Sequence, residues 1–402
     1  MEKTLTDIGD LAIFSGEPAF EEKLFVGRPN IGNRQRFMEM VNDILDRRWL
    51  TNDGKYVKQF EQRMADMLGA KHCITMCNGT IALEIVTRAL GFTGEVLVPS
   101  FTFIATAHSL QWQQITPVFC DIDPITHCID PECVERMITP RTTGIIGVHV
   151  WARPCNIEAL VEIAERRGLK IIFDAAHAFG CSYKGKMIGN FGHAEVFSFH
   201  ATKFFNTFEG GAVVTNDDDL AARVRLMKNF GFAGYDKVIY IGTNGKMTEV
   251  SAAMGLASLE SISEFIAANR NNYLLYRESL SEIPGLRILT FDDLERTNFQ
   301  YVVLEIDEIL SGISRDTLIR ILHAENVVAR RYFYPGCHRM EPYCSFFPHA
   351  KMLLPNTEQI VRKVLTLPTG TTVNRETVRN ICELIRFSIA NGPGITRKLS
   401  LS

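Results

Sequence analysis

The chain reads as an α/β protein, with a large domain built on a mostly parallel mixed sheet covered by helices and a smaller α+β domain after it. Two observations carry this. Between about residues 70 and 216, short β-forming runs alternate with stretches whose apolar residues recur at helical spacing, as in successive strand-helix units of a parallel sheet. Beyond about residue 260 the alternation stops, and longer helical periods surround one strong strand, YVVLEID. At roughly 100–200 residues per domain, 402 residues suit two or three such units.

The units follow in order along the chain. HCITM precedes TIALEIVTRAL, EVLVP precedes FIATAHSLQW, TPVFCDI precedes PECVERMI, and GIIGVHV precedes NIEALVEIAERRG. KIIFDAA then runs into a glycine-rich turn, and AEVFSF is followed by GGAVVTN. In NIEALVEIAERRG, Asn156 is placed to cap, Ile157, Leu160, Val161, Ile163 and Ala164 form one apolar stripe, and Gly168 ends the helix. Later helices are expected from VSAAMGLASLESISEFIAANRNNYLLYRESLSEI, SRDTLIRILHAEN and ETVRNICELIRFSIA. The expected division is an N-terminal segment over 1–30 that wraps the surface, a large domain over 31–260 and a small domain over 261–402, with GITRKLSLS as a loose tail. With no low-complexity linker, the two domains should pack closely around a cleft.

Composition narrows the function classes. Forty-three Lys and Arg against 46 Asp and Glu give a net charge of −3, which argues against nucleic acid or an anionic membrane surface as main partner. No apolar run reaches the ~18 residues of a membrane span, and the start lacks the pattern of a secretory signal, so a cytoplasmic protein is expected. The ten cysteines then read as reduced, mostly buried thiols. Neither Cys73/Cys77 nor Cys128/Cys133 has zinc-pair spacing, and no metal is expected.

Three segments carry chemistry. In CNGTIAL a strand meets a helix start, where Gly79 permits a tight turn and Thr80 adds a hydroxyl to the helix amides, as in a phosphate cradle. Many such turns are plain punctuation, and the glycosylation sequon at Asn78 has no use in a cytoplasmic chain. KIIFDAAHAFG ends a buried strand in Asp174, where α/β folds bind ligands, with His177 three residues on; a helix cap or an ion pair is the alternative. VFSFHATKFFNTFEGG sets Lys203 between a strand and aromatics, with Ser198 and His200 before it and Gly210 and Gly211 after. Such a lysine either snorkels from a core or is a functional amine with a lowered pKa. Pyridoxal phosphate requires a Schiff-base lysine, an anion for its pyridinium nitrogen, an aromatic wall and a phosphate site.

The order CNGTIAL, PSFTF, FDAAHAFG, SFHATKFFNTFEGG resembles the DegT/StrS family of sugar aminotransferases, which have the aspartate-aminotransferase type I fold. The resemblance runs from FVGRPNIG near residue 26 to the last long helix near residue 390. It implies pyridoxal 5'-phosphate as cofactor, Lys203 as the Schiff-base lysine and proton carrier, and Asp174 as the pyridinium partner. It also implies Phe103 as the stacking aromatic, His177 beside the cofactor, and Gly79, Thr80 and Ser198 as phosphate binders. A related branch of dehydratases carries histidine where Lys203 stands, so lysine implies transamination.

By the same resemblance Asn244, or Lys246 as a competitor, reaches the phosphate of a neighbouring subunit's cofactor, which implies a homodimer with shared sites. Trp49, Thr51 and Asn52 resemble the nucleotide-sugar entry loop. Arg330, Arg331, Tyr332, Tyr334 and His338 resemble the small-domain face of the cleft, and arginine forks suit a diphosphate or a carboxylate. His149 and Trp151 read as structural. The expected reaction moves an amino group from L-glutamate to a nucleotide-linked 4-keto-6-deoxy sugar, dTDP-4-dehydro-6-deoxyglucose, to serve O-antigen, polysaccharide or glycoside synthesis. Amination at C3, a dehydratase, and a non-catalytic binding protein on the same fold are the alternatives.

Overall fold

The computed structural model describes residues 3–401. Seven strands form the central sheet: β1 (His72–Met76), β2 (Glu95–Pro99), β3 (Thr116–Cys120), β4 (Thr142–Val148), β5 (Lys170–Asp174), β6 (Ala194–Ser198) and β7 (Gly211–Thr215). Their spatial order is β1-β7-β6-β5-β4-β2-β3. Only β7 runs against its neighbours; the β2/β3, β2/β4, β4/β5 and β5/β6 pairs are parallel. The strands are near-continuous apolar runs because helices cover both faces. This is the mixed, mostly parallel sheet that the sequence predicts.

The covering helices include α1 (Arg34–Arg47), α2 (Lys55–Leu68), α3 (Gly79–Ala89), α4 (Ala105–Gln111) and α5 (Ile157–Arg167). In α5, Asn156 Oδ1 accepts the Ala159 N–H at 3.2 Å and Gly168 closes the helix in the left-handed region, as the local pattern predicts. Next comes α6 (Glu249–Glu260), which is apolar on all sides and packs against α1 and α2. Its Glu249 carboxylate accepts the Tyr56 and Val57 amides at 2.9 Å each, so it caps α2 from a distant part of the chain. A bend of 61° at Ser261 separates α6 from α7 (Ile262–Leu280). Among the described residues no single helix is long and apolar enough to cross a membrane.

A second, separate core lies beneath a three-stranded antiparallel sheet of β8 (Leu286–Ile288), β9 (Val302–Ile306) and β10 (Val364–Leu367). It is flanked by α7, α8 (Arg315–Ala324) and α10 (Arg375–Ala390), and α9 (Pro355–Lys363) faces the large sheet. The N-terminal segment is pinned to this body: Leu24–Phe25 pairs with Val327–Val328, and Leu11 is fully buried. The expected loose tail is instead helix α11 (Gly392–Leu401), because Ile395 and Leu399, four residues apart, both pack on the small core.

Two polar ties fasten α9 over the ends of β2 and β3. The Asp121 carboxylate accepts the Asn356 amide at 2.9 Å and the Thr357 amide at 2.8 Å. His338 bridges Ser100 Oγ at 2.6 Å and Glu358 Oε1 at 2.7 Å. Both His338 ring nitrogens are thereby engaged in a buried strut, so the expectation that it faces substrate is replaced by a packing role.

Candidate active site

The carboxyl ends of β1, β5 and β6 lie at one edge of the sheet, since Gly211 pairs with both Met76 and Ser198 and β5 runs parallel to β6. At this edge Asn78 Oδ1 accepts the Ile81 N–H at 2.8 Å and starts α3. A Cβ on Gly79 would sit 3.1 Å from Ser198 Cβ, and one on Gly211 would sit 2.6 Å from the Asn78 carbonyl carbon and the Gly79 nitrogen. Glycine at both positions lets β6 and β7 press against the turn. The first-turn amides of Gly79 and Thr80 have no acceptor inside their helix and lie beside Ser198, which fits a phosphate group.

Asp174 is 7 % exposed. Its Oδ2 accepts the Thr106 hydroxyl at 2.8 Å and its Oδ1 the Ala176 amide at 3.1 Å. Burial pushes its pKa up, and these two hydrogen bonds with the charges of Lys203 and His149 oppose that push. Lys203 is half-buried on the loop between β6 and β7, and burial pushes its amine down to about 8 against the pull of Asp174. The result is a lysine near Asp174 that can shed its proton near neutral pH.

His177 is buried with its ring parallel to Trp151 and Phe333, at centroid distances of 6.1 and 5.8 Å. Its Nδ1 accepts the Trp151 amide at 3.4 Å, so the neutral ring carries its proton on Nε2, 3.3 Å from the Tyr301 hydroxyl. Burial and the Lys203 charge hold its pKa well below the usual histidine range. His149 is a structural residue, as expected: Nε2 lies 3.0 Å from Glu195 and Nδ1 accepts the Cys155 amide at 3.2 Å. Trp151 is fully buried and donates from Nε1 to His127 at 3.2 Å. His200 turns outward, towards Thr202 and Glu209.

Phe103 is 58 % exposed. It lines a cleft of about 310 Å³ with Thr102, Arg330, Arg331, Tyr332 and Tyr334. The Arg330 guanidinium lies 5.0 Å over the Tyr332 ring and has no carboxylate partner among the described residues. Arg331 and Arg315 flank the Tyr334 ring at 4.6 and 5.4 Å, and Arg331 also pairs with Asp316 at 3.2 Å.

The other expected residues lie along β1, where Met76 bridges to Lys246 and the Gly245 carbonyl accepts the Cys77 amide at 2.8 Å. The loop holding Trp49, Thr51 and Asn52 is fixed by the Leu50 carbonyl, which accepts the Glu249 amide at 3.0 Å, and by Asp53, 3.0 Å from Lys228. Asn244 bridges to Asn229, while Lys246 Nζ lies 3.0 Å from Asn229 Oδ1. Among the described residues none of these contacts reaches Asp174, Lys203 or Phe103.

Sequence reasoning passed over Thr106, Tyr301, Phe333 and Arg315. Thr106 and Arg315 stand in helices, Tyr301 just before β9 and Phe333 in a turn, and the contact partner of each is at least 19 residues away in the chain. No local signal marks them.

A strand-end carboxylate, a desolvated lysine and a glycine-tight helix start at one sheet edge define a pyridoxal-phosphate-dependent aminotransferase of the type I fold. Pyridoxal phosphate fits these residues: the Gly79–Ser198 turn suits its phosphate, Asp174 its ring nitrogen and Lys203 its aldehyde. Residues 32–386 match the DegT/DnrJ/EryC1/StrS aminotransferase family, and the chain belongs to it. A dTDP-4-amino-4,6-dideoxy-D-glucose transaminase of Shigella dysenteriae is 37% identical over 366 residues, covering 91% of this chain and 99% of that one. A GDP-perosamine synthase of Caulobacter vibrioides is 37% identical over 328 residues, covering 80% and 87%. The crystal structure of DesI in the presence of its TDP-sugar product superimposes with a TM-score of 0.93 at 46% identity, covering 98% of this chain and all of that one.

Proposed function

We propose that the protein transfers the amino group of L-glutamate to dTDP-4-dehydro-6-deoxyglucose, giving dTDP-4-amino-4,6-dideoxyglucose. The observation that carries the chemistry is the Asp174 carboxylate buried at a strand end beside the glycine-tight helix start, with the Lys203 amine, brought down to about 8 by burial, close enough to feel its charge. The C4 position and the thymidine nucleotide are supported by the Shigella transaminase and by DesI.

Each residue then has a task. Lys203 would hold the cofactor, and its amine would carry a proton to and from the substrate carbon. Asp174 would keep the ring nitrogen protonated, and Phe103 and His177 would hold the ring. Gly79, Thr80 and Ser198 bind the phosphate. Arg330, Tyr332 and Tyr334 line the substrate side of the cleft, where a guanidinium without a carboxylate partner suits a diphosphate or the donor's carboxylate. When bound, the cofactor supplies an electron-accepting ring that lowers the cost of breaking the substrate C–H bond.

The reading includes a homodimer in which Asn244, with Lys246 as competitor, and the Trp49–Asn52 loop complete the neighbouring subunit's site. Its support is that Trp49, Leu50, Phe230, Phe232, Tyr235 and Ile241 are large apolar residues left exposed on or beside those loops. It also takes residues 31–260 as the cofactor-binding unit and 261–402 as the unit closing the cleft; its support is the distinct core around β8–β10, while Tyr301, Phe333, Ile360 and Tyr343 join the cores of the large sheet and tie the two units together. A cytoplasmic enzyme feeding polysaccharide or glycoside assembly, O-antigen among them, fits a chain whose ten cysteines are all unpaired.

The test is incubation with glutamate and a panel of dTDP- and GDP-linked keto sugars, with NMR of the product. A 4-amino dTDP sugar formed with 2-oxoglutarate is expected. A 3-amino product, a GDP-linked preference, or a dehydrated sugar without glutamate consumption would displace the reading. Borohydride should fix the cofactor to the peptide containing Lys203, as read by mass spectrometry.

A further inference from the structure

We propose that Thr106 is a positioning residue for this reaction: Thr102 donates to Thr106 and Thr106 to Asp174, in a directed hydroxyl chain that keeps the carboxylate ionised and aimed. The inference rests on the reading of Asp174 as the partner of the cofactor's ring nitrogen, and goes beyond it in naming what holds Asp174 in that role.

The distances are 3.0 Å from Thr102 Oγ1 to Thr106 Oγ1 and 2.8 Å from Thr106 Oγ1 to Asp174 Oδ2. All three residues are buried. An ionised carboxylate only accepts, so the single Thr106 hydroxyl proton must point at Asp174. The hydrogen between the two threonines therefore comes from Thr102, and the chain has one direction. Thr102 also lines the cleft beside Phe103, so the chain runs from the cleft wall to the carboxylate.

A helical threonine ordinarily returns its hydroxyl to the preceding turn, as Thr87 does in α3 with the Leu83 carbonyl at 2.9 Å. Thr106, the second residue of α4, has no preceding helical turn to bond, and its hydroxyl instead reaches a residue 68 positions away. With Ala176 holding Oδ1, each Asp174 oxygen carries one hydrogen bond from the chain itself and keeps capacity for the ring N–H.

The ionisable groups facing Asp174 are Lys203, on the loop after β6, and His149, at the end of β4 and backed by Glu195 on β6. His177, the next ionisable residue along the chain, is held neutral. Neither Lys203 nor His149 hydrogen-bonds the Asp174 side chain, so Thr106 is the side chain that fixes its rotamer.

Thr106→Val keeps the shape and removes the donor. The acid limb of the kcat/KM profile should then move up by about one pH unit, because a carboxylate that loses a donor protonates at higher pH. In the holoenzyme carrying cofactor labelled with 15N in the ring, the nitrogen resonance should shift towards that of neutral pyridine at neutral pH. Thr106→Ser should restore both, which a purely packing role would not. Thr102→Val should shift both in the same direction and less, and it reads the chain if Thr106→Val does not fold.

An unchanged acid limb and 15N signal in Thr106→Val, or in Thr102→Val where that variant stands in for it, would overturn the proposal. Asp174→Asn separates the two layers. If it leaves the ring-nitrogen signal unchanged, the assignment of Asp174 itself fails; if it moves the signal and the threonine variants do not, only the hydroxyl chain fails.

Discussion

Lys203 carries an amine that burial has lowered to about 8 and that Asp174 pulls in the opposite direction. In Lys203→Ala the phosphate turn and Asp174 remain, so the variant should still bind pyridoxamine phosphate and nucleotide sugar. It should lose turnover by a factor of about a thousand or more, since it lacks the amine proposed to move the proton. Parallel binding and rate measurements check this; near-normal turnover would remove Lys203 from the mechanism. The residues with this kind of consequence were visible in the sequence because polar groups among apolar β-formers are expensive and stand out. Asp174 and Lys203 are both of that kind. Thr106 and Tyr301 were not, because a hydroxyl in a helix or beside a strand is ordinary until its partner is known.

Elements are joined at this site by carboxylates that reach helix ends and side chains far along the chain. Burial alone would raise the pKa of Glu358, but Arg339 and His338 hold it down to about 2. A carboxylate depressed in the folded state contributes stability above its unfolded value, near 4.5, and loses it as pH falls towards 2. Glu358→Gln should therefore cost about 1–2 kcal/mol at pH 7, and the difference from the parent should shrink through that window. Urea unfolding at pH 7 and below 4 checks it; an equal difference at both would show that the charge contributes nothing. The helices and strands themselves were readable from period and caps. The ties between them were not, since Asp121 to Thr357 and Ser100 to His338 span more than 230 residues. The tail from Gly394 reads as loose because a short polar run reveals its helix only when Ile395 has a core to enter.

At the scale of the whole molecule, Trp49, Leu50, Phe230, Phe232, Tyr235 and Ile241 are exposed apolar residues on or beside the Trp49–Asn52 loop and the segment around Asn244. If two copies bury these residues, Ile241→Asp should turn the protein into a monomer in sedimentation. Activity should fall at least tenfold, because each site would lose the neighbour's contribution; a monomeric variant of full activity would show that one chain holds a complete site.

By itself the sequence determined the class of sheet, the caps and stripes of its helices, and the family, because these depend on local period and on motifs carried in order along the chain. It also singled out Asp174, Lys203 and the Gly79–Thr80 turn as the groups proposed to carry the chemistry. Only the tertiary structure decided that the Asn244–Lys246 segment packs against the end of β1, that His338 is a strut, and that Thr106 holds Asp174. Those facts are contacts between segments distant in the chain, fixed by packing the whole core, and no local pattern of residues encodes them.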